Sequence, residues 1–178
     1  HLNGHSCPYC SHNISNQEHE IVEFIRGLGI EVQTNQRNIL GDNKEIDIFI
    51  PSHNIAIEFD GLYWHNSSMK ENNYHINKTN ECEKKGIRLI HIFEDEWMNK
   101  KDIVKSRIKN ILGKTPNKIY GRNCLISEIS YKEAKDFLET NHIQGYSVSS
   151  IRYGLYHKNE LVAVMTFCGL RKNLGKKN

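Results

Sequence analysis

Three acidic residues stand inside two short runs of alternating apolar residues. Asp47 lies in Glu45-Ile46-Asp47-Ile48-Phe49-Ile50, and Glu58 and Asp60 lie in Ile55-Ala56-Ile57-Glu58-Phe59-Asp60. Side chains alternate between the faces of a strand, so Glu45, Asp47 and Phe49 face one way and Ile46, Ile48 and Ile50 the other. In the second run Ile55, Ile57 and Phe59 share one face, and Ala56, Glu58 and Asp60 the other. Pro51-Ser52-His53-Asn54 between the runs reads as a turn. A hairpin then sets Asp47 beside the acidic face of the second strand. Carboxylates gathered this way repel unless a cation or basic partners neutralise them. Hard oxygen donors suit Mg²⁺, with Mn²⁺ as a substitute, held by one or two carboxylates plus waters and phosphate oxygens. The plainer alternative is that the acids pair with nearby lysines or face solvent.

A second donor set opens the chain. Cys7-Pro8-Tyr9-Cys10 has the spacing of a zinc knuckle, and His1, His5 and His12 stand close by. A closed Zn²⁺ site takes four ligands, so the pair needs two more; a pair of free thiols is the alternative. Cys82, Cys124 and Cys168 stand singly and read as core thiols.

These residues need elements to hold them. Ser15 followed by Glu18 forms a capping box for a helix over Asn16–Leu28, closed by Gly27 and Gly29. Ile21, Val22, Phe24, Ile25 and Leu28 fall on one helical arc; Glu18 lies within it, Glu20 at its margin and Glu23 opposite. Arg88–Phe93, apolar on both faces, predicts a central strand. Residues 15–97 thus read helix, strand, strand, strand, with a helix interposed before the last strand. Residues 98–114 read as a basic amphipathic helix. Residues 119–178 read as a smaller α+β unit, with a capping box at Ser130–Glu133, a helix ending near Asn141, and a hairpin of Gly154–His157 and Glu160–Phe167 around Lys158-Asn159. The expected domains are 1–14, 15–114 and 115–178.

Composition bounds the class. The 178 residues are 38% hydrophobic and 25% charged. No run approaches the roughly 20 apolar residues of a membrane span, so no membrane partner is expected. Five cysteines, an odd number, argue against a secreted disulfide scaffold. The net charge of +3 is mild, but it is unevenly laid out. From Lys100 to Arg122 the basic residues include Lys100, Lys101, Lys105, Arg107 and Lys109, against the single acid Asp102. Such a stretch beside clustered carboxylates suits a polyanion and a cation held together. The chain opens on His1 rather than Met and ends on a basic run, and so reads as a fragment of a longer protein.

Asp47, ten intervening residues and Glu58-Phe59-Asp60 together resemble the PD-(D/E)XK nuclease core, with Asp60 at the usual lysine position. The longer run Glu58-Phe59-Asp60-Gly61-Leu62-Tyr63-Trp64-His65, followed by Tyr74-His75 and Ile90-His91-Ile92-Phe93-Glu94-Asp95-Glu96-Trp97, is more specific. It resembles phage homing endonucleases of the EDxHD branch, related to the very short patch repair endonuclease, over about residues 15–113. The resemblance implies an α/β, restriction-endonuclease-like mixed sheet flanked by helices. It also implies a metal-dependent hydrolase of double-stranded DNA, acting in the cytoplasm of a bacterial host if phage-encoded, as a monomer or homodimer. By position, Glu18, Asp47, Glu58, Asp60 and His65 would be catalytic, with Asp47 and Glu58 on Mg²⁺ and His65 the general base. His75 would meet the scissile phosphate. Lys78, Lys100, Lys101, Lys105 and Lys109 would contact DNA. The N-terminal run resembles half of a phage zinc module, which makes His1 a third Zn²⁺ ligand beside Cys7 and Cys10. The last segment resembles a partial acetyltransferase-like accessory module. Rival readings are a mismatch-nicking repair enzyme, a non-catalytic DNA-binding module and an acyltransferase.

Overall fold

The first helix begins where its capping box places it. In the computed structural model, which describes residues 15–41, 44–61 and 69–169, α1 spans Asn16–Gly27. Ser15 Oγ accepts from the Glu18 amide at 3.2 Å, and Glu18 Oε2 accepts from the Ser15 amide at 3.3 Å. Leu28 caps the far end, and Gly29 at φ +74° turns the chain away. Ile21, Val22 and Ile25 are buried, as the apolar arc requires.

Four strands follow: β1 (Gln33–Gln36), β2 (Ile46–Ile50), β3 (Ile55–Asp60) and β4 (Arg88–Phe93), in the spatial order β1-β2-β3-β4. The alternation in β2 holds, with Ile46, Ile48 and Ile50 buried and Asp47 and Phe49 half-buried. Asn54, left-handed at φ 51° and ψ 45°, closes the short 3₁₀ turn Pro51–His53 that joins β2 to β3. Both turns of the sheet up to β3 are antiparallel. The step from β3 to β4 is parallel, and α2 (Met69–Lys84) supplies the crossover that a parallel pair needs. The sheet is therefore mixed and carries helices, as expected.

One expectation about the elements is corrected. Among the described residues β4 ends the sheet order rather than lying in its middle. Only Ile90 and Ile92 are buried in it, while Leu89, His91 and Phe93 are half-buried beneath the helix side. The basic helix expected over 98–114 is α4 (Lys101–Ile111), which buries Val104 and Ile108; the short acidic helix α3 (Glu94–Asn99) precedes it, with Lys100 at φ −132° between the two. The strand β1 was not foreseen, because Gln33-Thr34-Asn35-Gln36 has no apolar alternation.

The chain divides into two compact units, His1–Lys114 and Thr115–Asn178. The second holds β5 (Leu125–Glu128), α5 (Tyr131–Asn141), β6 (Ile151–His157) and β7 (Glu160–Phe167), with an antiparallel sheet in the order β5-β6-β7. Lys158 and Asn159, at φ 52° and 66°, form the two-residue hairpin turn whose positive dihedrals match strand twist. Gly154 lies close-packed in β6: a Cβ there would stand 2.6 Å from Leu161 Cδ1 and 2.8 Å from Ile129 Cγ2, so a larger residue would make those side chains shift. No described helix is long and apolar enough to cross a membrane.

Candidate metal and active site

The site is built by three stripes laid side by side. On α2, His75, Lys78 and Cys82 recur at i, i+3 and i+7, which is one helical face. On β3, Ala56, Glu58 and Asp60 share a face, and the parallel register pairs Ala56 with Leu89 and Glu58 with His91 on β4. The helix stripe meets the strand stripe in reverse order. Cys82 packs with Ala56 and Ile87, with Phe49 and Leu89 against them. Lys78 Nζ donates to Glu58 Oε2, and His75 Nδ1 lies 3.7 Å from Asp60 Oδ1. One end of the stripe is thus apolar and anchors the helix. The other end, at the carboxyl ends of β3 and β4, is where the titratable groups collect.

Asp47 joins from β2. The register that pairs Ile48 with Ile57 sets it opposite Glu58. The Asp47 amide donates to Glu58 Oε1 at 3.3 Å, and the Phe59 amide donates to Asp47 Oδ2 at 2.9 Å. Burial, then the Glu58 charge, pushes the Asp47 carboxyl up to about 7, with Glu18 adding to the repulsion and the Phe59 amide opposing it. Burial also raises Glu58, against the pull of Lys78. The hairpin sets Asp47 against Glu58, and Glu18 on α1 is close enough for its charge to act on Asp47. Lys78 was expected among the DNA contacts. Instead it is 3% exposed and seated on Glu58, which is itself 8% exposed. Its charge balances a buried carboxylate.

Asp60 and His91 form the second half of the site. His91 Nδ1 and Asp60 Oδ2 share a hydrogen bond of 2.8 Å, which raises the His91 pKa above its ordinary value. His75 and His91 meet edge to face with ring centroids 5.4 Å apart. Asp60, His75 and His91 each offer one ligand atom, all within 4.8 Å of one another. His91 was missing from the sequence-based site. Its signal was present, since it is the one polar residue between Leu89 and Phe93, but its partner lies 31 positions away across a helical crossover.

The basic helix lies elsewhere in the same unit. Lys101 Nζ reaches Glu20 Oε2 at 2.5 Å and stands 5.2 Å from the Trp97 ring centroid. Lys105 lies 5.3 Å from the Phe24 ring and Lys109 5.7 Å from the same ring. These lysines drape their stems over aromatic rings and are half-buried, while Arg107 is exposed. Trp97 is fully buried and donates from Nε1 to Glu20 Oε2 at 3.0 Å. His1, Cys7, Cys10 and His65 lie outside the described residues.

No protein-family model matches the chain, and no curated protein matches it. A solved structure to which it is similar is the catalytic domain of the homing endonuclease I-Bth0305I. The identity is 23%, the match covers 56% of this chain and 96% of that one, and the TM-score is 0.45.

Proposed function

We propose that the chain is a divalent-metal-dependent DNA endonuclease that hydrolyses phosphodiester bonds, of the homing type suggested by its PD-(D/E)XK and EDxHD-like residues. The observation that carries the reading is the meeting of Asp47, Glu58 and Asp60 with the Lys78 ammonium and two imidazoles at one end of the β2–β3–β4 sheet. The donor set fits a divalent cation. Burial holds Asp47 and Glu58 high, with the Glu58 charge adding to Asp47 and the Asp60 charge to Glu58, and a cation is what would relieve that repulsion. Asp47 and Glu58 would hold it, and the bound ion would supply polarisation of the phosphoryl oxygen and a lowered pKa for water.

The protein's own groups have distinct tasks in this reading. The Phe59 amide fixes the Asp47 carboxylate, and Lys78 fixes Glu58. Asp60 orients the His91 ring through Nδ1, leaving Nε2 for a proton or a phosphate oxygen. His75, 42% exposed at its side chain, would contact the scissile phosphate. His65 remains the proposed general base, and Glu18 adds charge close to Asp47. Lys100 and Arg107 of the basic segment would contact the DNA backbone, giving affinity rather than sequence choice. The N-terminal Cys7, Cys10 and His1 would hold Zn²⁺, and the second unit would be an accessory module. Phage origin, and action in the cytoplasm of the bacterial host, follow from the same reading.

The test is incubation of the full chain with supercoiled plasmid and Mg²⁺ or Mn²⁺, beside Asp47→Ala. Cleavage by the parent chain and a loss of at least about a hundredfold in the variant is expected, a transition-state deficit of roughly 3 kcal/mol. A parent chain that neither nicks nor cuts with any divalent ion would sink the reading. A nick confined to mispaired duplex would move it to a repair enzyme.

A further inference from the structure

The nuclease reading centres its metal on the oxygen donors of Asp47 and Glu58. Glu58 is already engaged at both oxygens, by the Asp47 amide and by Lys78. Beside it stands a donor set of different chemistry. Asp60 Oδ2 lies 2.8 Å from His91 Nδ1, and Asp60 Oδ1 lies 3.7 Å from His75 Nδ1. We propose that Asp60, His75 and His91 form a binding site for a borderline transition-metal ion, Co²⁺ or Zn²⁺, in preference to Mg²⁺. The proposal deepens the nuclease reading by naming the metal class. Its binding test does not depend on cleavage.

Geometry supports it first. Two ligand atoms bound at about 2.0–2.1 Å and set at tetrahedral angles lie about 3.3 Å apart, and the two observed separations bracket that value. Small side-chain rotations suffice, because all three ligand atoms already lie within 4.8 Å of one another. The ligands come from three packed elements, β3, α2 and β4, so the backbone that carries them is held by the sheet register and by the Cys82 anchor. Donor chemistry supports it next. Two imidazole nitrogens and one carboxylate suit Co and Zn, whereas Mg²⁺ favours oxygen and keeps its waters. Three protein ligands also leave positions for water or a phosphate oxygen, and His75 lies at the open side of the group. The rival is a hydrogen-bonded Asp60–His91 pair that binds no metal.

The experiment uses the full chain carrying Cys7→Ser and Cys10→Ser, so that N-terminal thiols cannot bind the probe. After chelator treatment it is titrated with Co²⁺, read by calorimetry and by the hyperfine-shifted imidazole N–H signals in proton NMR. Two shifted N–H signals are expected at saturation. His75→Gln and His91→Gln should each remove one signal and weaken Co²⁺ binding by about tenfold or more, while the exposed His53→Gln changes neither. Mg²⁺ in about a hundredfold excess should fail to displace Co²⁺. His75 is partly exposed, so its variant tests the site even if His91→Gln does not fold. Absence of shifted imidazole signals in the parent chain overturns the proposal, as does unchanged affinity in His75→Gln. Co²⁺ bound through both histidines without plasmid cleavage would sink the nuclease reading alone. Undiminished Mg²⁺-dependent cleavage with no imidazole signals would sink this proposal alone.

Discussion

Lys78 reaches Glu58 from twenty positions away and is almost wholly buried in doing so. Removing one partner of such a pair leaves a charge without compensation, at a cost of about 3–5 kcal/mol, whereas removing both costs far less. Lys78→Met should therefore lower stability by about that amount in urea unfolding at pH 7, and Glu58→Gln with Lys78→Met should recover most of it. Two single variants whose losses simply add would show that the pair is not coupled. Asp47 makes a prediction of opposite sign in pH. Its carboxyl titrates near 7 in the folded chain, and near 4 when unfolded. Between those values the folded state holds the extra proton, so stability from this group is full below about pH 4 and is lost as pH rises through about 7. With chelator present, Asp47→Asn should be less pH-dependent than the parent across that window and more stable at pH 8. An unchanged slope between the two would contradict the assignment.

At the scale of elements, α1 has a double use for one residue. Glu18 closes the capping box on Ser15 and also raises the field at Asp47. Ser15→Ala should cost about 1 kcal/mol in stability. Glu18→Gln keeps an acceptor for the Ser15 amide, so it should leave stability nearly intact while lowering the Asp47 pKa, read from the carboxyl shift in NMR titration. On α4, Lys105 lies over Phe24 and Trp97 while Arg107 is exposed. Lys105→Ala should thus destabilise by about 0.5–1 kcal/mol. Arg107→Ala should leave stability alone and, if α4 meets DNA, reduce the salt slope of binding by about 1. The capping boxes, the β2–β3 hairpin and the Lys158-Asn159 turn were legible in sequence because each is set by neighbours within a few residues. β1 was not, since its polar residues pair with β2 only through tertiary structure. The Lys78 and His91 contacts were hidden for a related reason: a helix face and a parallel register decide them, and neither shows in linear spacing. The i, i+3, i+7 spacing of His75, Lys78 and Cys82 was visible, but not the stripe it would cover.

For the whole molecule the mild net charge conceals two local balances. Carboxylates gather at the sheet end of the first unit, and lysines of the same unit cover its aromatic residues. The two units also differ in how much they bury. Among the described residues the buried hydrophobic side chains beyond Lys114 are Ile129 and Ala134, whereas the first unit holds a core running from Ile21 to Leu112. In the second unit the register pairs Ile151 with Phe167 and Tyr153 with Met165, and all four remain exposed. A chain of that size with so little apolar burial has small net stability, because ordering costs about 1–2 kcal/mol per residue in backbone entropy alone. Residues 1–114 expressed alone should therefore unfold in one sharp transition close to that of the corresponding step in the full chain. Residues 115–178 alone should melt broadly and bind a hydrophobic dye. Calorimetry and dye fluorescence on the three chains check this. A sharp, dye-free transition from the isolated 115–178 segment would mean that the second unit buries more than β5, α5, β6 and β7 provide, and would overturn the prediction.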